Sequence, residues 1–210
     1  MVPLPSLEMV DAAAMEFQDV MRRRRMVRNF DARPLEAEVV ERILANGRRG
    51  PSAGFTQGFE LLVLEGPDQT GRFWSACFPP ERRTGFRWPG VLEAPLLVVP
   101  MASKDAYLDR YAEPDKGWTD RGEGRWPVPY WHVDAAFAAL LMLLTAVDSG
   151  LGALFFRVFR PDDLRAQFAV PAGYDPVGAL AVGHPLADEP SPSLARGRRP
   201  SAEMVHRGGW

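Results

Sequence analysis

Residues 131–149 constrain the fold of this chain most, because the segment is apolar on nearly every side. Its centre, Ala135 to Leu144, reads AAFAALLMLL, and Gly150 follows as a natural helix terminator. The segment therefore predicts a buried helix, and its apolar run is too short to span a bilayer. A sheet covers only one side of such a helix. Its other side must meet either more of the same core or a partner subunit.

Composition limits the class of protein. The chain has 210 residues, of which 46% are hydrophobic and 25% charged, which predicts a single globular domain over residues 1–210. The net charge of −2 argues against a dedicated nucleic-acid binder. The single cysteine, Cys77, rules out an internal disulfide and indicates a reducing compartment. Four carboxylates in the first twenty residues argue against a secretory signal. We expect a cytoplasmic protein with no nucleic-acid or membrane partner.

The rest of the chain alternates helices with short buried strands. Periodicity and capping residues predict helices at residues 7–23, 35–48, 68–77 and 161–168. Apolar runs predict strands at residues 59–64, 96–99, 153–158 and 176–183. Residues 104–130 are polar, aromatic and rich in Gly and Pro, which predicts a short helix followed by a lid-like excursion. This order predicts an α+β or α/β domain whose central sheet is covered by helices.

Arginines are concentrated at two distant places, residues 22–28 and residues 197–200. Guanidinium groups bind phosphate through paired hydrogen bonds, so the two clusters predict a phosphate-bearing cofactor if the fold joins them. Arg28 follows Arg24 by one helical turn, which would point both side chains the same way. The alternative is a solvated basic surface, or a patch for nucleic acid or acidic lipid. The sequence contains neither a GxGxxG fingerprint nor a phosphate-binding loop motif.

Four motifs, taken in order, resemble those of the flavin-dependent nitroreductase family. They are RRMVRNF at residues 24–30, PSAGFTQG at 51–58, GLG at 150–152, and GRRP at 197–200 followed by Val205 and His206. The resemblance covers residues 22–206. It implies an α+β, nitroreductase-like fold with a central mixed β-sheet flanked by helices. It also implies a homodimer with intertwined termini that binds FMN at the subunit interface.

The resemblance implies cofactor contacts for both arginine clusters. Arg24 and Arg198 match positions that bind the FMN phosphate, and Arg25 matches one near the ribityl–phosphate region. Arg28 matches a position beside the pyrimidine edge, where a fixed cation favours the negative charge of the reduced ring. For Arg22 and Arg23 a solvated helix end is the expected role.

Two positions depart from the family pattern. Met26 replaces the usual serine and removes a hydroxyl donor to the phosphate, although the backbone N–H remains. Phe55 replaces the usual asparagine, which removes a side-chain amide from the flavin edge and places an aromatic ring there. Ser52 and Gln57 are retained. Ser52 is either a flavin contact or a hydroxyl that stabilises its own turn.

In relatives, the segment that follows the GLG motif presents backbone N–H groups to the flavin. Here that segment contains Phe155, Phe156 and Arg157. We expect no catalytic side chain, because the flavin carries the covalent chemistry. The three histidines show no metal-ligand spacing, so we expect no metal.

Aromatic residues are frequent in and near the lid-like excursion. They are either packing residues or a surface for a flat substrate: Phe86, Trp88, Tyr107, Tyr111, Trp118, Trp126, Tyr130 and Trp131. The resemblance implies an oxidoreductase that uses FMN and NADH or NADPH to reduce a small planar aromatic substrate, such as a nitroaromatic or a quinone. The alternatives are a specialised flavin reaction within the family and a lid-closed flavin-binding or storage protein with little turnover.

Overall fold

A six-stranded sheet forms the centre of the computed structural model, which describes residues 15–210. The strands are β1 (Phe30–Asp31), β2 (Phe59–Glu65), β3 (Leu96–Ser103), β4 (Gly152–Phe156), β5 (Tyr174–Pro176) and β6 (Ala179–Pro185). Their order is β1-β6-β3-β2, with β4 also paired to β6 and β5 also paired to β3. These strand pairs are antiparallel. An isolated parallel bridge joins Met26 to Ala153.

Six α-helices accompany the sheet within residues 15–210. They are α1 (Phe17–Arg23), α2 (Ala37–Gly47), α3 (Gly66–Cys77), α4 (Lys104–Tyr111), α5 (Tyr130–Asp148) and α6 (Pro161–Phe168). Short 3-10 turns connect some of them, at Ala53–Phe55, Pro80–Arg82, Pro89–Glu93, Glu123–Arg125, Pro192–Arg196 and Ser201–Glu203. The predicted α+β organisation is confirmed.

The alternation of side chains along β3 explains why helices cover both faces of the sheet. Leu96 and Val98 pack with apolar residues of α2 and α5. Leu97 and Val99 point the other way and pack with residues of α3 and α6. All eight residues of β3 are buried, so the strand has no face for water. The result is a three-layer core of helices, sheet and helices.

The strongest predicted element, residues 131–149, is confirmed as α5 and lies in this core. It is the one helix within residues 15–210 long and apolar enough to cross a membrane, but 56% of it is buried inside the fold. Its remaining side includes two large apolar residues at the surface of the single chain, Phe137 (42% exposed) and Leu140 (47% exposed). The helix therefore keeps an apolar face that its own sheet does not cover.

Residues 7–14 of the first predicted helix lie outside the described residues, and its described part contains α1. Two of the predicted strands have other bounds in the structure. The strand predicted at 176–183 is two strands, because Val177 donates to the carbonyl of Pro100 and Gly178 lies against the ring of Phe155. The strand predicted at 153–158 ends at Phe156, before a loop that leads into α6.

The helical spacing predicted between Arg24 and Arg28 is wrong. Helix α1 ends at Arg23, and Arg24 already has a non-helical ψ of 117°. The next residues run in an extended course, in which Met26 forms its bridge to Ala153. In an extended chain alternate residues share a side, so Arg24, Met26 and Arg28 can still face one way.

The lid-like excursion predicted at residues 104–130 begins with α4 and then folds back on that helix. Arg121 pairs with Asp105 at 3.1 Å and with Asp109 at 2.7 Å. Lys104 pairs with Glu123 at 2.9 Å, and this contact raises the pKa of the lysine. The excursion is therefore cross-linked to its own first helix by charged side chains.

Candidate cofactor site

An apolar cavity of about 230 Å³ opens where β4 ends, between α3 and residues 78–91. Its lining consists of Arg28, Phe73, Trp74, Cys77, Phe78, Phe86, Trp88, Val91, Leu154, Phe155, Phe156, Arg157 and Phe159. Eight of these are Phe or Trp, and the two arginines are the charged members. A cavity of this composition suits a flat, mostly apolar group that has a polar edge.

Arg28 lies on this cavity with its guanidinium group held on two sides. Its Cζ atom is 5.0 Å from the ring centroid of Trp88, which is the geometry of a cation–π contact. One terminal nitrogen donates to the backbone carbonyl of Met26 at 3.1 Å. The residue is partly buried, so its positive charge is fixed next to an apolar surface. A fixed cation of this kind can stabilise negative charge on a bound group.

The backbone around Arg28 is held by a segment from the far end of the chain. The backbone N–H of Arg28 donates to Asp188 Oδ2 at 2.6 Å, and Arg25 donates to Asp188 Oδ1 at 2.5 Å. The Asp188 side chain is only 6% exposed. Asn29 adds a side-chain bond to the carbonyl of Ala187. Arg25, predicted near the ribityl–phosphate region, is thus paired with a carboxylate of its own chain.

The end of β4 supplies the next wall of the cavity. The ring of Phe156 stacks on Trp74 with centroids 5.5 Å apart and planes 14° apart. Phe155 lines the same cavity, and so does Arg157, whose guanidinium lies 5.9 Å from the ring of Phe159. The structure therefore brings together Arg28 and the three residues predicted after the GLG motif. Met26 joins them through its bridge to Ala153 of β4.

The loop that contains Ser52 and Gln57 lies apart from this cavity, whose lining includes neither residue. Ser52 Oγ accepts a hydrogen bond from the backbone N–H of Gln57 at 3.0 Å, the turn-stabilising contact that was the alternative for this hydroxyl. Phe55 has a φ of +54° and its side chain is 77% exposed. In the single chain, this part of the motif therefore lies at the protein surface.

Arg24 and Arg198 also stand outside the cavity lining. The backbone N–H of Arg24 closes α1 on the carbonyl of Val20 at 2.9 Å. Arg198 is exposed in a tail that is exposed throughout residues 192–210. Neither arginine side chain forms a hydrogen bond or an ion pair with another residue in the range 15–210. Both guanidinium groups remain available for an external anion.

The aromatic residues in and near the excursion separate into two groups. Phe86 and Trp88 line the cavity. The others pack on one another around Trp126, which contacts Tyr107, Tyr111, Trp118, Tyr130 and Trp131 with centroid distances between 4.6 and 6.1 Å. For this second group packing is the observed role.

Cys77 lines the cavity but is unsuited to nucleophilic chemistry. Burial raises the pKa of its thiol to about 12, with a further contribution from the nearby carboxylate of Asp163. The thiolate is the reactive form, so the group is inert at neutral pH. Within residues 15–210 no group of three or more His, Cys, Asp or Glu side chains is placed to hold a metal ion.

Several residues of the site were not predicted from the sequence. Trp74 is buried, lines the cavity and has an indole N–H without a hydrogen-bond partner among the described residues. Asp188 fixes the arginine segment from 160 residues away. Both depend on long-range packing, and no local motif marks either one.

The donor set fits a flavin mononucleotide, although one chain supplies only part of the site. Arg24 and Arg198 have no side-chain partner within residues 15–210 and suit a phosphate dianion, and Arg28 beside an aromatic cavity suits the polar edge of a flat ring. The cavity volume of about 230 Å³ is below the roughly 300–1,000 Å³ of typical ligand pockets. A complete cofactor site therefore requires further walls.

Comparison with known proteins agrees with this geometry. The model of the nitroreductase family matches residues 21–184. A 5,6-dimethylbenzimidazole synthase of Rhodospirillum rubrum is 28% identical over 187 residues, which cover 82% of this chain and 83% of that protein. An NADPH-dependent oxidoreductase of Staphylococcus aureus is 25% identical over 193 residues, which cover 90% of this chain and 71% of that protein.

Solved structures show the same fold. A nitroreductase family protein from Clostridium difficile superposes with a TM-score of 0.69 at 24% identity, over 93% of this chain and 100% of that one. A nitroreductase from Exiguobacterium sibiricum in complex with FMN gives a TM-score of 0.69 at 18% identity, over 92% of this chain and 98% of that one. At these identities the likeness establishes the fold alone.

Proposed function

Because the chain belongs to the nitroreductase family, we propose that it is an FMN-dependent oxidoreductase acting on a planar electrophile, with NADH or NADPH as electron donor. The observation that carries this proposal is the cavity in which Arg28 and an aromatic wall meet at the end of β4. The names of an NADPH-dependent relative and of a structural neighbour in complex with FMN support the same donor and cofactor.

The arginines would hold the two polar ends of the cofactor. Arg24 and Arg198 would bind the phosphate, because each is free of partners among the described residues and can form a charge-assisted fork. Arg28 would lie at the polar edge of the ring, where Trp88 and the Met26 carbonyl keep its guanidinium in place. Arg25 would act indirectly, since its pairing with Asp188 fixes the backbone on which Arg28 stands.

FMN, when bound, supplies the two-electron chemistry of accepting a hydride and passing it on. The protein then has to orient the ring and keep water away from it. The aromatic wall of Trp74, Phe156 and Trp88 would do both, because it offers flat apolar surfaces and few groups that bind water. The same surfaces favour a small planar aromatic acceptor, such as a nitroaromatic or a quinone.

A homodimer would complete the site. The apolar face of α5 at Phe137 and Leu140 and the exposed tail are left uncovered by a single chain. A second copy of the chain would cover both and could bring the outward-facing Ser52–Gln57 loop to the cofactor. The buried, unpaired Cys77 fits a cytoplasmic location for this dimer.

A specialised flavin reaction is the second candidate, favoured by the relative named 5,6-dimethylbenzimidazole synthase. Two departures from the family motifs, Met26 and Phe55, agree with an altered flavin environment. A flavin-binding protein with little turnover is the third candidate, supported by the excursion that folds back on α4.

The experiment that tests the proposal is the anaerobic reduction of the purified protein. We expect a yellow protein that releases FMN and not FAD, that bleaches with NADH or NADPH, and that regains colour when a quinone or nitroaromatic is added. Colourless protein that does not bind added FMN would overturn the proposal. Bleaching without reoxidation by such acceptors would favour the second or third candidate.

A further inference from the structure

Asp134 is a buried carboxylate on α5 that the proposed reaction does not use. Asp134 is 2% exposed, and its Oδ2 atom accepts two hydrogen bonds. One comes from the backbone N–H of Ala53 at 2.8 Å and the other from the hydroxyl of Tyr107 at 2.6 Å. A buried carboxylate is costly unless such bonds compensate it. Asp134 therefore joins three separate parts of the fold at one oxygen: α5, α4 and the loop at Ala53.

Tyr107 is a permanent donor in this arrangement. Burial and its hydrogen bond to Asp134 raise the pKa of the tyrosine hydroxyl, so it stays protonated over the physiological range. Its ring is packed so closely against Gly58 that a Cβ atom there would lie 2.5 Å from it. Because Gly58 has no side chain, the loop backbone can pack directly against the Tyr107 ring.

Arg110 makes a second connection from α4 to the same loop. Its Nε donates to the carbonyl of Gly54 at 3.1 Å. The rest of its guanidinium is held by Asp115 through bonds of 2.6 and 2.8 Å, and this pairing lowers the pKa of the carboxylate. The guanidinium group is therefore held by a paired carboxylate while its Nε bonds the loop, which limits its freedom to move.

The loop that receives these bonds has a strained backbone. Phe55 and Gln57 have φ values of +54° and +53°, a region that residues other than glycine rarely adopt. Gly54 has a φ of +63° and lies against the ring of Tyr111. Such conformations persist where surrounding contacts determine them, and they concentrate at functional sites. Here Asp134 and Arg110 hold the loop from outside at Ala53 and Gly54, and the bond from the N–H of Gln57 to Ser52 Oγ closes it from within.

We propose that Asp134, Tyr107 and Arg110 are positioning residues that hold the Ser52–Gln57 loop in the conformation required for its contact with the cofactor. The inference rests on the proposed function, because it takes this loop to be a flavin contact. None of the three residues touches the cofactor in this account. Their effect passes through Ala53 and Gly54 to Ser52, Phe55 and Gln57.

The test uses the purified full-length protein and the variants Tyr107→Phe and Asp134→Ala. Tyr107→Phe removes one donor and keeps the ring, so it remains informative if Asp134→Ala does not fold. The control is Thr145→Val, another buried polar residue of α5, whose hydroxyl accepts from Asn46 at 3.0 Å far from the loop. Three quantities are measured: the Kd for FMN, hydrogen exchange of residues 52–57 without FMN, and the thermal midpoint.

We expect Tyr107→Phe to raise the Kd about fivefold and Asp134→Ala at least tenfold, with faster exchange at residues 52–57 in both. Thr145→Val should lower the thermal midpoint similarly and leave the Kd within twofold. The proposal is overturned if the loop variants lose thermal stability but keep wild-type FMN affinity and exchange. If the wild-type protein binds no FMN, the proposed function fails instead, while the exchange measurement still shows whether Tyr107 and Asp134 hold the loop.

Discussion

The two arginine clusters differ in what their own chain provides for them. The first, residues 24–28, is held by a segment 160 residues away through Asp188, which bonds both Arg25 and the backbone of Arg28. The second, residues 197–200, lies in an exposed tail whose contacts are short in range. Arg199 bonds Glu203, four residues on, and Arg198 has no bond to another described side chain.

The two arginine clusters are therefore held in different ways. The first cluster is fixed by the fold of one chain, so its geometry exists before any ligand arrives. The second cluster is held within residues 15–210 only by short-range bonds such as that from Arg199 to Glu203, so a cofactor phosphate or a second subunit would have to cover it. We infer that one chain presents half of the site ready-made and that assembly provides the rest.

Removal of residues 191–210 should produce the largest effect. These residues include Arg198 and the exposed tail, but almost none of the core, so far-UV circular dichroism should stay unchanged. The Kd for FMN should rise by about a hundredfold or more, since a phosphate contact and the subunit cover are lost together. A flavin titration of the truncated protein measures this, and unchanged affinity would remove the tail from the site.

The substitution Arg198→Ala should weaken FMN binding by about 1.5–3 kcal/mol, the range of a charge-assisted hydrogen bond, or roughly ten- to a hundredfold in Kd. Arg22→Ala is the matched control, because the one ion pair of Arg22 within residues 15–210 is with Asp19 on the surface of α1. Its Kd should match that of the wild type. Equal losses in the two variants would refute the alignment of the GRRP motif.

The substitution Asp188→Ala should lower the free energy of unfolding by about 1–2 kcal/mol, because the partly buried N–H of Arg28 loses its acceptor. The ion pair itself adds little to this free energy, because the Arg25 side chain is 55% exposed and solvent screens its charge. Glu203→Ala in the tail should cost less than about 1 kcal/mol, the range of an exposed pair. Urea unfolding measures the free energy of unfolding of both variants. Equal losses would contradict the difference between the two clusters.

The smallest effect concerns Cys77, which lies beside the first cluster. Its thiol pKa is raised to about 12, so the group stays neutral in the folded protein below that pH. The stability it contributes is therefore lost only as the pH rises above the ordinary thiol pKa of about 8.5. At pH 8 we expect a thiol reagent to modify unfolded protein readily and native protein very slowly. Rapid native modification would show that the cavity wall is open.

Local patterns in the sequence were sufficient for most of the fold. Pro161 and the following periodicity placed α6 at the residues where it occurs, and the apolar run placed α5 within one residue at each end. Both helices are determined by interactions between near neighbours. The two-residue strand β1 was missed, because it exists only through its pairing with β6.

The sequence predicted less of the candidate site than of the fold. The motif residues Arg28 and Phe155–Arg157 were identified, and the structure brings them to one cavity. Trp74, Asp134 and Asp188 were not, since each acts on a residue more than eighty positions away in sequence. The one-turn spacing predicted between Arg24 and Arg28 was also wrong, because α1 ends at Arg23 and Arg24 is no longer helical.

Light scattering combined with flavin analysis shows most directly whether one chain presents only half of the cofactor site. The chain has a mass of 23.3 kDa. At micromolar concentration we predict a species of twice that mass carrying up to one FMN per subunit, with flavin and dimer lost together on dilution. A species with the mass of one chain that keeps FMN bound would contradict the account.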